Sequence, residues 1–141
     1  MHEKSDPNEL TITIDSGASE NVISEEFAPQ VKVRASQGSR EGVRYVTANG
    51  GTMSNRGEKH IHVLTTEGHK CMLNMQVTDV KKPLISVARI CDAGHEVVFQ
   101  SGGGYIKHTG SGQITKFNRV DNVYRLKVSV AQPGFSGQGP Q

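Results

Sequence analysis

The chain has 141 residues, an apolar fraction of 34% and no tryptophan, which is enough for one domain with a modest core. Its 16 basic and 14 acidic residues are spread along the sequence, and aromatic residues make up only 5%. Nucleic-acid-binding domains concentrate positive charge or stacking aromatics, so the composition argues against that class of partner. No apolar run approaches membrane-spanning length, and no signal peptide is recognisable at the charged N-terminus. Two cysteines without a disulfide framework are typical of a reducing compartment, so we expect a cytoplasmic protein.

The two ends of the chain have the composition of flexible segments. Residues 1–9 are polar and include Asp6-Pro7, so we expect a loose arm there. Residues 131–141 are rich in glycine, glutamine, proline and serine, which is typical of a disordered tail or linker. The folded domain is therefore predicted to span residues 10–130.

Between these ends, short segments alternate apolar and polar residues with the period of half-buried strands. This alternation predicts strands, in chain order, at residues 10–14, 31–33, 43–46, 60–63, 73–77, 97–99 and 124–128. Glycine, asparagine, aspartate and serine lie between these segments, and they are the residues that favour turns. The pattern is that of a β domain.

A helix is predicted near the C-terminal end of the domain. Residues 86–93 carry apolar side chains at helical spacing, with Cys91 on the apolar side, and Gly94 follows as a C-cap. Residues 20–27 are a second candidate, for a single helical turn. We therefore predict an all-β fold, mostly β with one short C-terminal helix. Because the sequence has no internal repeat, two similar lobes within one chain are excluded.

The clearest chemical signal is an aspartate at the end of the first predicted strand. Residues 12–14 run directly into Asp15-Ser16-Gly17-Ala18. A rigid strand would fix the carboxylate, the Ser16 hydroxyl could clamp a second loop of the same kind, and Gly17 permits a sharp turn beside a substrate backbone. Such a tripeptide also forms ordinary turns, and it arises by chance in roughly one chain in twenty of this length. It needs support from the rest of the chain.

Four blocks in a fixed order supply that support. The sequence resembles the retropepsin family of aspartic proteases, and especially the proteases of Ty1/copia-type retrotransposon polyproteins, over residues 10–130. The matching blocks are Asp15–Ala18, with serine in place of the commoner threonine, residues 46–52 with Gly57 and Ile61, residues 83–94 continuing into 97–99, and residues 122–126. The third block is the closest, because copia polyproteins carry a leucine-leucine-serine-valine signature followed by a helix, a glycine and a strand.

Two positions depart from the wider family pattern. Many retropepsins have glycine where this chain has Ser86, although serine is normal in copia-like members. Viral relatives also carry acidic residues after the catalytic alanine to hold the substrate backbone. Here those positions are Ser19 and Glu20, of which only the second is acidic. We therefore expect this chain to hold the substrate backbone differently from the viral relatives.

The resemblance implies an aspartic endopeptidase in which Asp15, Ser16 and Gly17 form the catalytic loop. Because the chain supplies one such aspartate, the active site implies a homodimer with an Asp15 from each copy. The implied substrate is a polypeptide, the chain's own polyprotein, and virus-like particles are a further location. Residues 46–53 would form a flap, and Tyr124, Leu126 and Val128 would lie at the dimer interface. The implied substrate-binding residues are Ala18, Ser19, Glu20, Asn49, Gly50, Gly51 and Ile85. No cofactor and no metal are implied.

Two other functional classes stay open on the sequence. A catalytically silent retropepsin-like domain could serve as a dimerisation or peptide-binding module. A zinc-binding β domain is the other, because His60, His62, His69 and Cys71 lie on neighbouring predicted strands. Gly102-Gly103-Gly104 lacks the lysine and the helix that a phosphate-binding loop requires, and it is better read as a hairpin between Phe99 and Tyr105.

Overall fold

A computed structural model of the chain describes residues 8–46 and 50–131. Within these ranges the secondary structure is mostly strand, which confirms the predicted all-β class. The strands are β1 Glu9–Asp15, β2 Val22–Ile23, β3 Arg44–Val46, β4 Thr52–Ser54, β5 Gly57–Thr65, β6 Lys70–Val77, β7 Leu84–Ser86, β8 His95–Gln100, β9 Gly103–His108, β10 Ile114–Val120 and β11 Val123–Val130. The helices are α1 Gln37–Arg40 and α2 Val87–Asp92. Neither described helix is long and apolar enough to cross a membrane.

Nine of these strands form one sheet, in the order β1-β7-β2-β6-β5-β11-β10-β9-β8. β1 also pairs antiparallel with β11, with Ile12 opposite Leu126. This extra pairing closes six strands into a ring, from which β10, β9 and β8 extend. β3 and β4 form a separate two-stranded hairpin. Strand β1 begins at Glu9, one residue inside the predicted N-terminal arm, while residues 1–7 and 132–141 lie outside the described ranges.

The core lies inside the ring and follows from the alternation in the sequence. In β1, Leu10, Ile12 and Ile14 are buried, while Thr11 between them is exposed. Strands β5 and β11 repeat the pattern, and they bury Ile61, Val63, Leu126 and Val128. Since neighbouring side chains on a strand point to opposite faces, this alternation places a continuous apolar surface on the inner side. Burial of that surface is the main stabilising contribution.

Strand β7 positions the candidate catalytic loop. It lies between β1 and β2, parallel to the first and antiparallel to the second, and Asp15 is paired with Ser86. β1 and β2 are joined by residues 16–21, so this connection passes the end of β7. Helix α2 begins directly after β7, with Ser86 as its N-cap and Gly94 beyond its end at a φ of 91°. The predicted C-terminal helix is therefore confirmed, and its first turn adjoins the loop.

Several local predictions are wrong. Residues 31–33 do not form a strand, because the local pairing is limited to a single bridge between Arg34 and Glu58. Residues 20–27 are not helical, since Val22 and Ile23 form β2 and are buried in the core. Helix α1 was not predicted because none of its residues is buried, so it leaves no apolar period. Cys91 is exposed, and Ile90 is the buried residue of α2.

The residues predicted to form the dimer interface make their contacts within a single chain. Leu126 is 5% exposed and Val128 is 2% exposed within a single chain, so both belong to its own core. The Tyr124 hydroxyl donates to the Gln100 carbonyl at 2.9 Å, and its ring packs edge-on against Phe99. These side chains are already occupied by contacts within the chain. Burial within one chain counts against a dimer contact through the Leu126 and Val128 side chains.

The zinc hypothesis fails on strand geometry. His62 points out of β5 and His60 is on the same face, while the alternate residue Val63 is buried. Cys71 is paired with Val63 and lies on that opposite face of the hairpin. Among the described residues, no group of three or more His, Cys, Asp or Glu side chains is placed to hold a metal ion.

Glycine is required in β9, where the strands that extend from the ring pack against the Phe117 side chain. β8 and β9 form the hairpin expected between Phe99 and Tyr105, with Ser101 and Gly102 as its turn. A Cβ on Gly104 would overlap the Val98 carbonyl oxygen and the Phe117 ring. Gly103 and Gly104 therefore permit close packing of the sheet, whereas Gly102 has open space around it.

Candidate active site

Asp15 lies at the last position of β1, where the buried strand reaches the surface. Its carboxylate is half-buried, and Oδ1 accepts a hydrogen bond from the Gly17 N–H at 2.8 Å. The Ala18 N–H donates to the Asp15 carbonyl at 3.4 Å, so the chain turns directly after the carboxylate. The strand fixes the backbone and the Gly17 amide fixes one oxygen. The other oxygen, Oδ2, is not used by this hydrogen bond.

Ser86 holds the loop from the side of β7. It is fully buried, its Oγ donates to the Ala18 carbonyl at 2.7 Å, and its N–H donates to Asn21 Oδ1 at 2.8 Å. The same Oγ accepts a hydrogen bond from the Arg89 N–H at 3.2 Å as the N-cap of α2. One hydroxyl therefore joins the loop to the helix. Sequence reasoning marked Ser86 only as a departure from a family pattern and missed this physical role.

Arg89 holds the far end of the loop. Its guanidinium forms an ion pair with Glu20, and Nε donates to the Ser19 carbonyl at 3.3 Å. Both side chains are partly exposed, so this ion pair contributes little to overall stability. Its effect is geometric, because the fork-shaped guanidinium contacts two successive loop residues. Glu20 therefore lies on the loop as predicted, with Arg89 as its cationic partner.

The predicted flap corresponds to the β3–β4 hairpin. Arg44 is paired with Ser54 and Val46 with Thr52, and the Val46 side chain is 79% exposed. The connection between the two strands includes Gly50, whose φ of 89° favours glycine. Asn49, the predicted tip residue, lies outside the described ranges.

Asn55 anchors the base of this hairpin. It is 6% exposed, and its Oδ1 accepts from the Ser36 hydroxyl at 2.9 Å and the Gly57 N–H at 2.8 Å. Its Nδ2 donates to the Tyr45 hydroxyl at 3.0 Å and to Gln76 Oε1 at 2.8 Å. Each polar atom of the amide is thus used, which connects β3 to α1 and β6. Partial burial raises the pKa of Tyr45, so its hydroxyl stays protonated near neutral pH.

A polar cavity of about 540 Å³ separates the loop from the hairpin base. Glu20 and Arg89 lie on one side, Val43 and Tyr45 on the other, and Glu41 and Glu58 add negative charge. Of the predicted site residues, Glu20 lines this cavity, whereas Asp15 and the hairpin residues Gly50 and Gly51 do not. Ile85 does not line it either, because its side chain is 5% exposed and packs in the core.

The candidate loop supplies one carboxylate of this type per chain. The sequence contains a single Asp-Ser/Thr-Gly tripeptide, at residues 15–17. A lone, half-exposed carboxylate can accept a proton from water, but it offers no second acid to protonate the departing group. Comparisons with models of known protein families, with curated proteins and with solved structures give no match.

Proposed function

We propose that the chain is the protomer of a retropepsin-like aspartic endopeptidase. The observation that carries the proposal is the position of Asp15, at the end of a buried strand and on a loop tied to β7 and α2 by Ser86 and Arg89. Catalytic groups need this kind of support, because a small displacement of the carboxylate lowers the rate steeply. The β3–β4 hairpin across the cavity from Glu20 supports the same assignment as a cover for bound substrate.

The proposed chemistry uses two carboxylates that share one proton. Two aspartates held at close range cannot both ionise, so the pair would share one proton. The ionised carboxylate takes a proton from a bound water, which attacks the peptide carbonyl. The protonated carboxylate donates to the carbonyl oxygen. Since each chain contributes Asp15 alone, the second carboxylate belongs to a two-fold-related copy.

This requirement places the proposed two-fold axis beside the Asp15 loop. The ends of β1 in the two copies would face each other, and the exposed hairpins would close over the cleft between them. Leu126 and Val128 take no part, because they are buried in each protomer. The substrate would be a polypeptide, and the chain's own polyprotein is the first candidate. A catalytically silent peptide-binding module is the alternative that the experiment must separate.

Processing of a precursor tests the proposal. A longer polypeptide that carries the domain with its natural flanks is incubated from mildly acidic to neutral pH, and its fragments are identified by mass spectrometry. We expect cleavage by the unaltered protein and none by an Asp15→Asn precursor. If both precursors stay intact while the unaltered protein is a dimer in solution, the catalytic assignment is wrong and the binding-module alternative replaces it.

Replacing Ser86 by alanine is expected to lower activity more than stability accounts for. The change removes the hydrogen bond to the Ala18 carbonyl and the N-cap of α2, which costs about 1–2 kcal/mol. Release of the loop should lower kcat by roughly tenfold or more. Thr65→Val is the matched control, because it removes a buried hydroxyl that accepts from the His69 N–H at the far turn of β5 and β6. Equal loss of activity in both variants would show that the effect is general destabilisation.

A further inference from the structure

A second cavity, of about 230 Å³, lies behind the candidate catalytic loop. It is bounded by the inner face of the β5–β6 hairpin, by α2 and by strands β8 to β11. Its walls are largely apolar and include Val63, Ile85, Ile90, Ile106, Leu126 and Val128. The volume is smaller than that of pockets for drug-sized ligands, so an occupant would be a small molecule.

One part of this cavity is polar. The turn of β5 and β6 contributes Thr65 and His69, and the connection of β9 to β10 contributes His108 and Gln113. These two segments are held together by Glu67, whose carboxylate accepts from the Lys116 N–H at 2.8 Å. The cavity therefore joins an apolar body to a region rich in hydrogen-bonding groups. This distribution matches a ligand with an apolar chain and a polar head.

The polar groups favour an acceptor head over a cationic one. His108 Nδ1 accepts from the Ser111 N–H at 3.1 Å, so the neutral ring carries its proton on Nε2 as a donor. His69 Nδ1 is buried in the wall without a hydrogen-bond partner, which leaves a polar requirement that the chain does not satisfy. Among the described residues that line the cavity, none is an aspartate or a glutamate. The lining instead contains basic side chains, namely Arg89, His69, His95 and His108.

We propose that this cavity binds a small aliphatic carboxylate, with its chain among the apolar side chains and its head among His69, His108 and Gln113. The proposal does not depend on protease activity. Asn21 and Arg89 line the cavity and also hold the candidate catalytic loop. An occupant would therefore contact the back of the elements that position Asp15.

The two cysteines provide a matched pair of reporters. Cys71 lines the cavity and is exposed, whereas Cys91 is exposed on α2 and is not part of the lining. Desolvation raises the pKa of the Cys71 thiol, which slows its alkylation without preventing it. The rates of iodoacetamide labelling at both residues are measured by mass spectrometry with hexanoate or hexylamine at increasing concentration. These two compounds share a chain length and differ in the charge of the head.

At hexanoate concentrations of about ten times its dissociation constant, we expect labelling of Cys71 to slow by about tenfold, while Cys91 is unaffected. Hexylamine should give little protection. Gln113→Leu, which removes an exposed polar group from the lining, should weaken protection by hexanoate. Unchanged labelling of Cys71 up to the solubility limit would overturn the proposed site. Equal protection by hexylamine would overturn the proposed class of ligand.

Discussion

An Asp15→Asn variant is expected to fold normally and to lose peptide-bond cleavage, with kcat/KM reduced by about a thousandfold or more. The asparagine side chain keeps an oxygen in the position of Oδ1, so the hydrogen bond from the Gly17 N–H can be retained. The side chain lies at the surface end of β1, outside the apolar core. What is lost is a group that can exchange a proton with water and substrate. Thermal unfolding and cleavage of a fluorogenic peptide, measured on the same preparation, check both parts of this expectation.

Asp92→Asn is the matched control for this change. Asp92 is an exposed aspartate at the end of α2, and like Asp15 it stands two residues before a glycine. Its replacement removes one negative charge without touching the loop, so activity should stay within about twofold. A comparable loss of cleavage in both variants would mean that the reaction depends on overall charge. Retention of full activity by Asp15→Asn would remove Asp15 from the chemistry.

The largest expected effect on stability follows from Lys59. This lysine is 1% exposed, and its ammonium donates to the carbonyls of Glu25, Phe27 and Ala28 at 2.9, 2.9 and 3.1 Å. Burial lowers its pKa, and the three carbonyls offset part of the cost of burying the charge by using its three N–H donors. The ammonium thereby fixes the connection from β2 to α1, in which Ala28 has a φ of 52°.

Replacing Lys59 by methionine is therefore expected to lower the free energy of unfolding by about 3–5 kcal/mol. Methionine fills a similar volume but removes the donor from the part-buried Glu25 and Phe27 carbonyls. The buried Ala28 carbonyl loses one of its two donors and keeps the Val31 N–H at 3.0 Å. A typical domain has a total stability of about 5–15 kcal/mol, so much of the protein could be unfolded at 37 °C. Urea unfolding followed by circular dichroism measures the change. Lys127→Met on the exposed face of β11 is the control and should alter stability by about 0.5 kcal/mol or less. A similar small effect for Lys59→Met would show that the carbonyl cage does not stabilise the fold.

The fold class could be predicted because alternation is a direct consequence of strand geometry. Leu10, Ile12 and Ile14 face one side of β1, and the sequence alone places them there. The same rule failed for residues 31–33, where Val31 and Val33 pack partly against the core without forming a strand. Apolar alternation therefore identifies residues that face the core, but pairing with a neighbouring strand decides whether they form a sheet.

The support of the candidate site could not be predicted, because it depends on polar contacts between distant segments. Ser86 bonds Ala18 across 68 positions, and Arg89 bonds Ser19 across 70. Nothing in the spacing of a serine and an arginine on a short helix indicates such partners. Lys59 carries a misleading signal, since lysine is rarely buried. Its place in an alternating strand, in phase with Ile61 and Val63, was the available indication that it points inward.

The central claim, that two copies of Asp15 form one active site, is tested most directly by mixing unaltered chains with Asp15→Asn chains. Total protein is held constant, well above the dissociation constant of the dimer, and the subunits are allowed to exchange fully. If activity requires Asp15 from both copies, an equal mixture retains about one quarter of the activity of the unaltered protein, because only one pair in four contains two aspartates. Retention of about one half would mean that each chain acts alone, and it would contradict the shared active site.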